Sequence, residues 1–173
     1  MMSARMLFYS TMITASVAAP MYAVEQKEEN PSVYEVYKNM PADRVAGLKT
    51  DAQKGDLEAM LHYALYSLAN KKFDDAFLWM EVVSYRAQLQ EVESEGSLED
   101  FPTIAMMMLS SIVMELQELD DQFEKQLEQA VEKFKTQGSA RALQMVEKLE
   151  AARPKDEHTA QRKQVLSELK KQQ

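Results

Sequence analysis

The stretch AQKGDLEAMLHYALYSLANKKFDDAFLWMEVVSYRA, residues 52–87, decides the fold. Leu57, Met60, Leu61, Ala64, Leu65 and Leu68 recur at steps of three and four, so they share one face of a helix with 3.6 residues per turn. That face calls for burial. Gly55 and Asp56 stand just before it, where a carboxylate accepts hydrogen bonds from unpaired first-turn amides and complements the helix dipole. Asn70, Lys71 and Lys72 then supply a residue tolerant of left-handed geometry and two cations for the C-terminal pole. A second helix begins near Phe73, with Phe73, Ala76, Phe77, Met80, Val83 and Ala87 on one stripe and Trp79, Val82 and Tyr85 widening it. Small Ala64 and Ala76 permit the two axes to approach to about 8–10 Å. The stretch therefore predicts two helices joined by a tight turn, an antiparallel hairpin.

At these residues the chain resembles a tetratricopeptide-type unit, and more closely its shorter relative, the Sel-one-like repeat. Ala52, Gly55, Asp56, Ala59, Tyr63 and Ala64 are similar to the family's first-helix pattern, and Phe73, Ala76, Trp79 and Glu81 to its second. The glycine-containing loop of the family is replaced by Asn70-Lys71-Lys72, and Val83-Ser84 stand where small alanines are usual. The resemblance covers about a fifth of the chain. It implies an all-α fold of antiparallel hairpins stacked as a short tetratricopeptide-like array or bundle, acting as a partner-binding scaffold without catalytic residues. Recognition is then expected in a groove lined by first helices, where Tyr63, Tyr66 and His62 are the candidate partner-binding residues.

The rest of the composition agrees with helix. Four glycines and five prolines in 173 residues leave few breaks for a sheet. A net charge of −8 opposes nucleic acid, whose phosphates require a basic surface. The absence of cysteine excludes disulfides, thiolate metal sites and thiol nucleophiles together.

Residues 1–23 carry Arg5, an uncharged apolar stretch from Met6 to Ala19, and small residues before a candidate cut after Ala23, with Ala18 and Ala19 as alternatives. This pattern predicts a secretory signal peptide, because the run is shorter than the roughly 20 residues a bilayer span needs. The mature chain is then periplasmic or secreted, with no stable membrane span. Residues 24–40 form a linker and lead-in segment: a charged stretch to Pro31, then Val33, Tyr34, Val36, Tyr37 and Met40 as a short helix or extended cover. Residues 41–154 are read as the helical-repeat domain, with Pro41 opening a helix through Lys54.

After the second hairpin helix, the acidic run at residues 91–100 reads as a loop. Pro102 starts the most apolar helix, with Ile104, Met107, Met108, Ile112 and Leu116 on one side and Met106, Leu109 and Val113 on another. An all-round apolar helix is expected at the centre of a fold, although methionine clusters also suit adaptable binding surfaces. Asp120-Asp121 leaves residues 103–137 open to one helix or two. Gly138 reads as a left-handed cap and Ser139 as the N-cap of a further helix that Pro154 stops, giving a third helical pair. Residues 155–173 carry a thin stripe of Val165, Leu166 and Leu169, expected as a peripheral helix.

Chemistry-bearing patterns are missing. His62 and His158 are far apart in sequence, and His62, one turn after Glu58, reads as a surface polar pair. Phosphate loops, zinc helices, nucleophile elbows and calcium loops do not occur, so no cofactor or metal is expected and no enzyme is indicated. Two functional readings follow: an exported adaptor that binds a protein or peptide, or a secreted effector or structural α-bundle that acts through self-association or surface contact of its methionine-rich helix. A small-ligand site between bundle helices is a third.

Overall fold

The structure, a computed structural model, describes residues 30–91 and 101–172. Within them the chain forms seven α-helices and no strand: α1 (Val33–Lys38), α2 (Ala42–Gln53), α3 (Leu57–Ala69), α4 (Phe73–Glu91), α5 (Phe101–Leu119), α6 (Phe123–Ala152) and α7 (Thr159–Lys171). The fold class read from composition holds. The leader and the acidic run at residues 92–100 lie outside the described residues.

Local chemistry explains the helix ends. The Ser32 hydroxyl accepts from the Glu35 amide while the Glu35 carboxylate accepts from the Ser32 amide, a reciprocal cap that starts α1. Gly55, at φ +100°, closes the turn after α2, and the Asp56 carboxylate then accepts from the Ala59 amide at 2.9 Å to start α3. At the other end of α3 the left-handed residue is Lys71, at φ 56°, rather than Asn70. Asn70 instead turns its amide back to the Tyr66 carbonyl at 3.0 Å and caps the helix through its side chain.

α3 and α4 run antiparallel. They are joined by Asn70–Lys72, and Gly55 at the start of α3 lies beside the Arg86 guanidinium near the end of α4. α3 is the central element: ten of its thirteen residues are buried, with α1, α2, α4 and α5 packed around it. Its small residues Ala59, Ala64, Ser67 and Ala69 let these neighbours approach, and Met60 and Leu65 fill the space between them.

α6 lies along α4 in the same direction. Phe73 meets Phe123 at 6.0 Å between ring centroids, Phe77 meets Phe134 at 5.7 Å, and Glu81 accepts from the Ser139 hydroxyl. Further along, Arg86 pairs with Glu150. This contact line corrects the expected break at Gly138-Ser139, because α6 is one helix of 30 residues, about 45 Å long. Gly138 is needed for space and not for a left-handed turn: a Cβ there would sit inside the Phe134 ring, which folds over the glycine to reach Phe77. Ser139 is therefore no N-cap, and the third helical pair does not form. The open question at Asp120-Asp121 resolves as two helices: α5 ends at Leu119, and the Asp120 carboxylate accepts from the Gln122 amide at 2.8 Å in the turn before Phe123.

Candidate interaction site

The three α3 residues singled out by the sequence all have partners within the chain. Tyr63 is 5% exposed, edge-on to Trp79 at 5.8 Å, with its hydroxyl 3.5 Å from the Asp75 carboxylate. Burial, followed by the negative charge of Asp75, pushes its phenol above the ordinary value. His62 lies under α1, where its Nδ1 is hydrogen-bonded to the Tyr37 hydroxyl and its ring stacks on Tyr37 at 5.9 Å. Its Nε2 lies 3.5 Å from Glu58, so the polar pair expected from their spacing forms. Tyr66 is half-buried, and Lys72 lies over its ring at 4.8 Å while donating to its hydroxyl at 3.2 Å. Tyr63 and Tyr66 are neighbours at 6.2 Å, and His62 is held on another side by Tyr37.

The exposed apolar surface is elsewhere. Of the six exposed large hydrophobic residues among those described, Ile104, Met106, Met107, Met114 and Leu119 lie on α5 and Val36 lies on α1, which packs against α5. This corrects the expectation that the methionine-rich helix is central. Its inward stripe is Ala105, Met108, Leu109, Ile112, Val113 and Leu116, with Ile112 and Leu116 fully buried. Those positions lie three, four, seven, eight and eleven residues after Ala105 and satisfy the amphipathic rule by themselves. The remaining face has no charge from Thr103 to Met114 and meets solvent, with Met107 68% and Met106 64% exposed.

The charges that the chain itself carries at the end of this face are all of one sign. Between Glu115 and Glu124 there are five carboxylates and no cation. Asp120 is ion-paired to Lys71, and the hydrogen bond from Lys71, then that from the Gln122 amide, holds its carboxyl below the ordinary value. Glu115 accepts from the Ser32 hydroxyl at 2.9 Å, which ties this end of α5 to the start of α1. The C-terminal pole of α5 adds partial negative charge there.

A second polar feature, unforeseen from the sequence, joins α4, α6 and α7. Glu150 is bridged by Arg86 from α4 and by Arg162 from α7, whose Nε lies 2.9 Å away, and all three side chains are less than 10% exposed. Asp156 takes Arg162 Nη1 at 3.0 Å, and that bond leads the influences lowering the Asp156 carboxyl. Burial pulls the Arg162 guanidinium down, but its bonds to Asp156 and Glu150 outweigh this and raise it overall. The signal was present: Arg86 stands at stripe spacing between Val82 and Leu89, and Arg162 stands three, four and seven residues before Val165, Leu166 and Leu169. An arginine at a core position implies a buried carboxylate opposite it. Beside the network, α6 and α7 border a cleft of about 470 Å³ lined in part by Lys155, Lys163 and Leu166.

Among the described residues no group of three or more histidines and carboxylates is gathered to hold a metal ion, and no helix is long and apolar enough to cross a membrane. Comparison with protein families, with curated proteins and with solved structures finds no match.

Proposed function

We propose that this chain is an exported, non-catalytic helical adaptor that binds a protein or peptide partner through the outer face of α5. The carrying observation is that five of the six exposed large hydrophobic residues among those described lie on this one helix. Monomeric soluble proteins seldom leave contiguous apolar patches open without an interaction to cover them, and methionine side chains repack readily around different partners. The α3–α4 hairpin is read as the tetratricopeptide-like scaffold that supports this face. Export rests on the N-terminal leader pattern.

The α3 aromatics support a groove less well, since Tyr63 is in the core and His62 is engaged by Tyr37. In the test, a photo-crosslinker replaces Met107 in the full-length chain, with controls at Tyr66 and at exposed Lys148, and envelope extract is added. Labelling of one partner at Met107 alone supports the proposal. Labelling at Tyr66 alone returns recognition to the groove, and a crosslink between two copies moves the function to self-association.

A further inference from the structure

We propose that the α5 face is a seam for one α-helix of a partner, an amphipathic segment with an apolar stripe and lysine or arginine at the end that lies over Glu118 and Asp121. The inference rests on the α5 reading above and adds the chemistry of what binds there.

Spacing points to a helix. Once the inward positions are removed, Ile104, Met107, Ser111, Met114 and Glu118 remain on one line, advancing by three, four, three and four residues. This is the seven-residue rhythm with which one helix receives the side chains of another. Ser110 and Ser111 at its midpoint are small enough to let a second backbone approach to about 8–10 Å. From Ile104 to Glu118 the line is about 21 Å long, roughly four turns. Ile104, Met107 and Met114 are each more than half exposed and therefore available to the incoming stripe.

Charge selects among helices. The seam is uncharged through Met114, and every charge the chain adds from there to Glu124 is acidic; Lys71 pairs with Asp120, while Glu118 and Asp121 are exposed and without an ion-pair partner among the described residues. A second copy supplies no complement from the same helix, because α5 has no cation anywhere from Phe101 to Leu119. An anionic lipid surface is repelled by the same carboxylates and by the net charge of −8. A helix with a basic end meets both requirements of the seam.

The test uses the full-length chain and two synthetic helical peptides of four turns, each with the same leucine stripe, one ending in three lysines and the other in three glutamates. Fluorescence anisotropy at low and at high salt reads the affinity. The expected result is saturable binding of the lysine peptide, at least about tenfold weaker binding of the glutamate peptide, and convergence of the two as salt rises. Met107→Glu should abolish binding of both, and Glu118→Gln with Asp121→Asn should weaken only the lysine peptide; circular dichroism of each variant checks that the fold is kept. Equal affinity for both peptides overturns the charge selection while leaving the α5 interaction face standing. Binding of neither peptide, or binding that Met107→Glu leaves unchanged, overturns the seam itself. Binding to phosphatidylserine vesicles in preference to either peptide overturns it in favour of a lipid surface.

Discussion

α3 and α5 are about equally apolar in composition, yet one is the buried axis of the fold and the other gives half of itself to solvent. The difference lies in size and neighbours. α3 alternates alanine and serine with leucine, methionine and tyrosine, so helices close on it from several sides. α5 concentrates its bulk in methionine, isoleucine and leucine and buries only the stripe that touches α1, α3 and α6. Average hydrophobicity therefore does not locate a core; small residues that admit neighbours do.

The largest expected effect breaks the α3 side of this contrast. Leu65 has no exposed surface, and Leu65→Ala should cost about 3–5 kcal/mol in urea unfolding, as lost transfer energy and a cavity combine. A loss under 1 kcal/mol would remove α3 from the centre. Next, Glu150→Ala takes from Arg86 and Arg162 the carboxylate they share, and should cost about 3 kcal/mol because two buried guanidiniums lose the charge between them, Arg162 retaining its bond to Asp156. Glu150→Gln should recover only part of this.

An intermediate effect is expected at Gly138. Alanine is the better helix former by about 1 kcal/mol, so a glycine placed there only by chance would be improved by it. The Phe134 ring occupies the space a Cβ needs, and Gly138→Ala should therefore destabilise by about 1–2 kcal/mol. A rise in stability would restore the view that this glycine serves the backbone alone. At the low end, Met107→Ser should change stability by less than about 0.5 kcal/mol, since the side chain is already in water. A cost near that of Leu65→Ala would mean that α5 is covered in solution.

How much of this was legible follows from the same physics. The α3–α4 pair could be read because Leu57 to Leu68 and Phe73 to Ala87 keep strict helical spacing, with Asp56 marking the start and Asn70–Lys72 the turn. The outward face of α5 could not be assigned, because Ile104, Met106, Met107 and Met114 have the same chemistry as Met108, Ile112 and Leu116; which stripe turned inward depended on where α1, α3 and α6 lay. Gly138 misled because glycine serves both caps and close approaches, and only the Phe134 ring decides between them. Tyr63 and His62 looked available because long-range neighbours, Trp79 and Tyr37, do not show in local spacing. Arg86 and Arg162 were readable in principle, since an arginine on an apolar stripe asks for a buried partner.

The smallest effect separates the two acidic clusters by pH. Asp120, beside the exposed end of α5, and Asp156, beside the buried arginines, both have carboxyls held below their ordinary value, Asp120 mainly by Lys71 and Asp156 mainly by Arg162. A carboxyl whose folded value is depressed contributes stability that is fully present above its unfolded value and disappears as pH falls through the folded one. Both clusters should therefore weaken on acidification below the ordinary carboxylate range, and neither should respond near neutrality. Thermal unfolding from pH 7 downward should show a shallow acid limb that Asp120→Asn and Asp156→Asn each flatten. Salt should separate the two substitutions through their cations, because Lys71 is 36% exposed and open to screening, while Arg162, which holds the exposed Asp156, is 3% exposed. If 1 M salt reduces the Asp156 contribution as much as that of Asp120, the α6–α7 junction is more open to water than the burial of Arg162 implies.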